Sequence, residues 1–257
     1  MFERNALGSN ARRMKMQYNS FTLKVIAAAL TVIGTVGVSI LQNGIMNLGS
    51  YSTESLLEAF YTEGNVFALA TAVILCSGVA AFALPVYAHL LVEGYQKTSS
   101  CKKYAIRLIV LAILSEVPYD LAMQDTWFTL KSQNPVWGAL IALIMLYFLD
   151  YFREIGKFIG FLFKLFIVAA SLFWVIFLHV NYGIGMVLVV AVLWLLEGNG
   201  ILITFAGIVA SLAYFPAPFG FIINYFYNGE KGSASRKIFY VFYPLQLLIL
   251  GLIGKAL

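Results

Sequence analysis

The sequence has 257 residues and a mass of 28.5 kDa, enough for one large domain or two small ones. Of these residues 61% are hydrophobic and only 11% are charged, and the mean hydropathy is +0.86. Soluble domains carry about 25% charged residues, so this chain lacks the polar side chains that a water-facing surface needs. The composition excludes soluble globular, disordered, collagen-like and disulfide-rich secreted proteins. It predicts an all-α integral membrane protein.

Mostly apolar runs recur along the chain, and most approach the roughly 20 residues that a helix needs to cross a bilayer. In chain order they are Phe21–Ile45, Asn65–Val92, Ala105–Ala122, Val136–Tyr151, Phe158–Leu178, Gly183–Leu196, Ile201–Phe215, Phe219–Tyr227 and Ile238–Ile253. The eighth is short and follows Pro216 and Pro218, which interrupt helices. We predict a polytopic bundle of about nine membrane segments. A basic segment, residues 1–20, precedes one transmembrane domain over residues 21–257.

The positions of lysine and arginine predict how the segments are oriented, because cytoplasmic loops carry an excess of both. With a cytoplasmic amino terminus and alternating segments, all of the 17 basic residues except Lys131 and Lys255 fall inside. The first outer loop, 46–64, holds Glu54, Glu58 and Glu63 and no basic residue. The net charge of +5 is thus explained by topology. We expect the lipid bilayer, and no nucleic acid, as a partner.

His89 and Glu93 are the first ionisable pair inside an apolar run. A charge at the centre of a membrane helix costs about 2.5–3.5 kcal/mol, so such residues are candidates for function. The two residues are four apart and share a helix face. A histidine beside a carboxylate could act as a general base. The alternative, which we favour, is a hydrogen-bonded pair at the cytoplasmic end of the helix.

The third run contains a second polar cluster, Ser115-Glu116-Val117-Pro118-Tyr119-Asp120. Pro118 lacks a backbone donor and is expected to open the helix. Glu116 and Asp120 lie one turn apart on the same face. They could line a substrate pocket, or they could end the helix with Asp120 already in water. We favour the functional interpretation for Glu116, and the two are even for Asp120.

The stretch His179-Val180-Asn181-Tyr182-Gly183 predicts a tight outer turn between two segments. Asn181 and Gly183 suit such a turn. His179 could be an exposed base, although a lone histidine is more often an interfacial hydrogen-bonding group. The chain has only two cysteines and no cluster of cysteine and histidine, so we expect no metal.

Eight stretches carry a resemblance to a known family. They are Leu23–Ala27, Leu90–Tyr95, Lys103–Leu108, Ser115–Asp120, Gln133-Asn134, His179–Gly183, Tyr227–Gly232 and Phe242–Leu245. Together, and in this order across nearly the whole chain, they resemble the TraX family of bacterial membrane proteins. The namesake of that family is implicated in amino-terminal acetylation of conjugative pilin.

The resemblance implies a multi-pass acyltransferase of the bacterial cytoplasmic (inner) membrane. Its donor would be an acyl-CoA such as acetyl-CoA, and its acceptor a pilin or a cell-envelope glycan. The implied catalytic residues are His179, Glu116, Glu93 and His89, with one histidine as the base and one carboxylate orienting the site. The implied substrate-binding residues are Arg107, Asp120, Asn134, Asn181, Tyr182 and Tyr243.

The chain departs from the family pattern at polar positions. Gly34-Thr35 stands where the family usually has Asp-His, Ala80-Ala81 where it has Gly-Arg, Asn181 where the turn has Asp, and Gln246 where a final His is common. Acyl transfer needs a base and donors for the developing oxyanion, and these replacements are neutral. Two hypotheses therefore stay open: a membrane acyltransferase, or a catalytically silent binding or scaffolding partner of another membrane protein.

Overall fold

The structure, a computed structural model, describes residues 18–230 and 237–257. In this part of the chain 81% of residues are helical and no strand forms, which confirms the all-α class. Most of the predicted basic segment 1–20 lies outside the described residues, and the division of the chain into this segment and one domain stays a prediction.

Eleven α-helices make up the described part of the chain. Their bounds are α1 Ser20–Thr35, α2 Thr53–Thr62, α3 Gly64–Ala81, α4 Ala83–Gln96, α5 Cys101–Gln124, α6 Pro135–Tyr151, α7 Lys157–Phe177, α8 Gly183–Leu195, α9 Gly200–Ser211, α10 Gly220–Tyr225 and α11 Lys237–Ala256. A π-helical segment, Val36–Ile45, continues α1 without a break, and short 3₁₀ turns lie at Leu48–Ser50, Leu212–Tyr214 and Ala217–Phe219.

Four helical stretches are long and apolar enough to cross a membrane: Ser20–Ile45, Gly64–Gln96, Phe158–Phe177 and Ile238–Ala256. Shorter apolar helices cover Pro135–Tyr151, Gly183–Leu195 and Gly200–Tyr214. The chain is therefore a membrane-embedded helical protein. The number of crossings and the side of the amino terminus stay predictions.

Prolines shape three of these segments. The ring of Pro85 meets the carbonyl four residues earlier, and α3 accordingly ends at Ala81 before α4 begins at Ala83. Pro118, which was expected to open its helix, lies inside α5, and α5 continues to Gln124. In the eighth predicted segment, which follows Pro216 and Pro218, only the six residues of α10 are α-helical. They make about 9 Å of helix, whereas the hydrocarbon core is about 30 Å thick. The eighth predicted segment is thus too short to cross as an α-helix.

Small residues bring α1 and its π-helical extension close to their neighbours. A Cβ added at Gly34 would lie 2.5 Å from the Cβ of Ala80, and one added at Gly37 would lie 2.5 Å from the Cβ of Cys76. At the other end, a Cβ at Gly44 would lie 2.9 Å from the carbonyl oxygen of Gly254. Membrane helices gain association energy from such close backbone approach. These contacts hold α1 against α3 and α11.

Helix α7 turns most of its large apolar side chains outward. Phe158 is 75% exposed and Phe166 is 69% exposed, and Phe173 stacks on Phe177 with ring centroids 5.8 Å apart. A water-facing protein rarely exposes so continuous an apolar surface. This face is the one expected of a helix in contact with lipid tails, and it agrees with the membrane assignment.

We expect Gly34→Leu to lower the stability of the fold by about 1–3 kcal/mol, the range found for overpacked interiors. The added side chain has no room, because Ala80 already touches the site of its Cβ. Gly64→Leu is the matched control, since no atom lies within 4 Å of a Cβ at that position. Thermal unfolding of the purified protein in detergent measures both. Equal melting temperatures for the two variants would contradict the close contact between α1 and α3.

Candidate functional site

A cavity of about 710 Å³ lies among α1, α4, α5 and α11, and the turn at Asn181-Tyr182 contributes to its wall. Helices α1, α5 and α11 begin at one end of the bundle, and α4 ends there. The two ends of the cavity differ in the residues that line them. Lys24, Lys97 and Arg107 line the end where these helices begin, which we call the basic end. Tyr119, Asn181 and Tyr182 line the opposite end.

Glu93 is held at the basic end by two neighbours. Its Oε1 accepts a hydrogen bond from the Tyr227 hydroxyl and lies 2.5 Å from Nζ of Lys97, which also donates to the carbonyl of Gly229 at 3.3 Å. Burial, and then the Glu93 carboxylate, raise the pKa of Tyr227 above its ordinary value. The tyrosine therefore remains a donor at neutral pH. Glu93 is thus already bonded to two protein side chains.

Arg107 supplies a further cation at this end. Its Nε donates to the carbonyl of Lys103 at 3.1 Å, one turn earlier in α5. The guanidinium carbon lies 5.5 Å from the ring centroid of Tyr104, within the range of a cation–π contact. The remaining guanidinium donors of Arg107 are the kind of group that binds phosphate or carboxylate oxygens.

Neutral polar side chains occupy the middle of the cavity. The Thr31 hydroxyl donates to the carbonyl of Ala27 at 2.8 Å and lies 3.1 Å from the Tyr87 hydroxyl. The Thr35 hydroxyl donates to the carbonyl of Thr31 at 3.0 Å. Gln246 completes this group from α11, and no histidine, aspartate or lysine lines the middle among the described residues. The centre of the cavity therefore holds hydrogen-bonding groups without a base.

The opposite end is built from the predicted turn. The Asn181 side-chain amide donates to the Tyr119 hydroxyl at 2.7 Å, which fixes the turn on α5. Tyr182 adopts a left-handed backbone with φ of 56°, and its ring lies 5.0 Å from that of Tyr214. The structure places Asn181, Tyr182, Tyr243 and Arg107 at the cavity wall. Their role in substrate binding stays a prediction.

Glu116 lies beside the cavity and joins α5 to α6. Its carboxylate accepts from the backbone N–H of Asn134 at 3.3 Å, from Asn134 Nδ2 at 2.5 Å and from Trp137 Nε1 at 2.8 Å. Asn134 also caps α6 through a bond from the Val136 N–H to its side-chain oxygen. Three donors at the start of α6 thus bond to Glu116, which fixes the position of α6 relative to α5. Neither it nor Asn134 lines the cavity wall.

Asp120 ties the following loop to α5. It is fully buried, so the alternative that placed it in water is wrong. Its carboxylate accepts from the Thr129 backbone N–H at 2.8 Å and from Gln124 Nε2 at 3.3 Å. These bonds fold residues 125–134 back over the end of α5. Asp120 does not line the cavity.

The two histidines lie apart. His179 is exposed, outside the cavity lining, with a left-handed backbone of φ 51° and a carbonyl that accepts from the Gln133 N–H at 3.0 Å. His89 packs edge-on against Tyr227 with centroids 5.2 Å apart. The favoured hydrogen bond from His89 to Glu93 is absent from the described residues, because Glu93 pairs with Tyr227 and Lys97 instead. Of the four residues predicted as catalytic, the structure places Glu93 alone at the wall.

Thr31 and Tyr87 were not predicted from the sequence as site residues, and Gln246 was noted only as the replacement of a histidine in the family pattern. A signal for the threonines was available, because Thr31 and Thr35 are four apart in an otherwise apolar run and share a helix face.

The described residues contain no group of three His, Cys, Asp or Glu side chains that could hold a metal ion.

Comparison with known proteins confirms the family. The protein-family model described as TraX protein matches residues 19–254. Because this range covers nearly the whole chain, the chain belongs to the TraX family. No curated protein and no solved structure matches it.

We expect Glu116→Gln to lower stability by about 1–3 kcal/mol, because an amide group would turn a donor toward donors already present. The exposed Glu58→Gln is the matched control, since no hydrogen bond to the Glu58 side chain is found in the described part of the chain. Thermal unfolding in detergent measures both variants. An unchanged melting temperature for Glu116→Gln would argue against the positioning role and return Glu116 to the list of catalytic candidates.

Proposed function

We propose that this TraX-family protein is a multi-pass protein of the bacterial inner membrane, of acyltransferase ancestry, that binds an acyl-thioester donor without transferring the acyl group. The observation that carries the proposal is the neutral centre of the cavity. Thr35 and Gln246 stand where the family pattern has histidines, and both line the wall. A ligand-sized cavity is present, whereas no histidine, aspartate or lysine lines its middle in the described part of the chain.

The basic end supports binding of a phosphate-bearing donor such as acetyl-CoA. Lys24, Lys97 and Arg107 line one end of the cavity, Lys97 within its ion pair with Glu93, and the volume of about 710 Å³ has room for an acylated arm. Ligand pockets commonly span about 300–1,000 Å³. The excess of lysine and arginine at this end favours a cytoplasmic location for it, which is where acyl-CoA is found.

Loss of the base explains why binding need not lead to transfer. When an amine or hydroxyl attacks a thioester, the C–N or C–O bond forms, the C–S bond breaks and the proton of the nucleophile must be accepted. Threonine and glutamine cannot accept that proton near neutral pH. In the silent role the chain would act as a binding or scaffolding partner of another membrane protein.

A second candidate is an active acyltransferase that uses Glu93 as its base. The observation favouring it is that Glu93 lines the cavity at the basic end. The silent role is placed first because Glu93 lies at the basic end, in an ion pair with Lys97, and not at the neutral centre of the cavity.

We expect Arg107→Gln to weaken acetyl-CoA binding about tenfold, because a hydrogen bond to a charged group contributes about 1.5–3 kcal/mol. Lys131→Gln, which removes a cation away from the cavity, is the control and should leave the affinity unchanged. Equilibrium dialysis of radiolabelled acetyl-CoA against the detergent-purified protein measures both, and the effect should shrink at high salt. Absence of any binding to the unaltered chain would contradict the proposal.

We expect the unaltered chain to transfer no label from acetyl-CoA to pilin peptides or glycan acceptors. Turnover that is lost in Glu93→Gln would replace the silent role with the second candidate. Turnover that is lost in His179→Ala but kept in Glu93→Gln would contradict both.

We further expect the combined variant Gly34→Asp, Thr35→His and Ala80→Gly to gain measurable transfer. Ala80→Gly is included because Asp at position 34 would otherwise collide with the Ala80 Cβ. Ala81 is left unchanged, because it belongs to the apolar core and is absent from the cavity lining. The control is Gly34→Asn with Thr35→Gln and Ala80→Gly, which has similar shape and no base. Equal inactivity of both folded variants would count against acyltransferase ancestry.

A further inference from the structure

Gln246 in α11 carries a buried amide that the described protein leaves without a partner. The residue is 7% exposed, and both Nε2 and Oε1 are buried with no hydrogen bond. Buried polar groups in native proteins almost always have partners, so each exception calls for a physical reason. In Gln246 both the donor and the acceptor of the side-chain amide lack a partner.

Gln246 lines the wall of the cavity. Three other side chains in the described residues each have one unsatisfied buried atom, namely His89, Ser115 and Asn224, and none of them lines the cavity. The hydroxyls of Thr31 and Thr35, which also line the wall, each donate to a backbone carbonyl. Among the described residues, the buried polar atoms at the wall that have no hydrogen-bond partner therefore both belong to Gln246.

The backbone that carries Gln246 is fixed on two sides. One turn later, the carbonyl of Leu250 accepts from the Ser39 hydroxyl at 2.8 Å, which ties this face of α11 to the π-helical segment. The adjacent Leu247 is 2% exposed and packs with Tyr119 and Ala122 of α5. The unpaired amide therefore sits on a rigid element, where a bound group would meet it in a defined position.

We propose that Gln246 recognises a secondary amide of the molecule that occupies the cavity. The N–H and C=O of a trans secondary amide point in opposite directions, so one such amide meets one atom of the glutamine: its N–H donates to Oε1, or its C=O accepts from Nε2. Two amides along one arm can satisfy both atoms. An ester offers an acceptor without a donor, and a hydrocarbon chain offers neither. The identity of the natural ligand rests on the proposed function, because the pantetheine arm of acyl-CoA carries secondary amides. Recognition of an amide is testable separately.

The first test uses two small probes and the unaltered full chain in detergent. S-acetyl-N-acetylcysteamine contains a thioester and an amide, and S-acetyl-O-acetylmercaptoethanol is its analogue with an ester in place of the amide. At equal concentrations the amide probe should raise the melting temperature at least about twice as much as the ester probe. Equal shifts, or none, would overturn the proposal and indicate that Gln246 holds only water.

The second test separates recognition from a structural role. Gln246→Met has similar shape without polar atoms, so it should raise the melting temperature of the ligand-free protein by removing unsatisfied groups. The same change should abolish the difference between the two probes and weaken acetyl-CoA binding about tenfold. Gln42→Met, the same substitution outside this cavity, is the control and should keep both responses. A lower melting temperature with unchanged binding in Gln246→Met would overturn the proposal.

The outcomes distinguish this inference from the proposed function. If acetyl-CoA fails to bind while the amide probe still acts through Gln246, the proposed donor is wrong and amide recognition stands. If acetyl-CoA binds equally to the unaltered chain and to Gln246→Met, the proposed donor stands and amide recognition is wrong.

Discussion

Polar groups inside this bundle must find their hydrogen-bond partners within the protein, because the surrounding hydrocarbon offers none. Most of the architecture around the cavity follows from that constraint. Glu116 takes three donors from the start of α6, and Asp120 takes two from the chain that follows α5. Asn181 bonds to Tyr119 and brings the turn before α8 onto α5. The two carboxylates that first suggested chemistry thus fix the positions of helices around a cavity that neither of them lines.

The fold class and most helix positions follow from the sequence, because long apolar runs admit few structures in a bilayer. The run Phe21–Ile45 and the observed Ser20–Ile45 differ by one residue at the start. Local rules were less reliable at prolines. Pro85 does separate two helices, whereas Pro118 is carried inside α5, because neighbouring helices can accommodate a proline in membrane helices.

The candidate site was harder to predict than the fold. Spacing along one helix correctly put Glu116 and Asp120 on a common face, yet it could not reveal that this face meets the start of α6 and the loop before it. His179 is exposed, as its prediction as an exposed base allows, but it does not line the cavity. The cavity instead collects hydroxyls and an amide from α1, α4 and α11, and no periodicity in one segment reports which segments will meet.

The outward-facing aromatic surface of α7 has a practical meaning. Phe161 and Phe166 are 62% and 69% exposed and lie on a helix that contributes nothing to the cavity wall. A spin label or photocrosslinker attached there would sample acyl chains without disturbing the interior. Depth measurements from such probes would give the tilt of the bundle in a nanodisc, and so an experimental frame for locating the hydrocarbon boundaries.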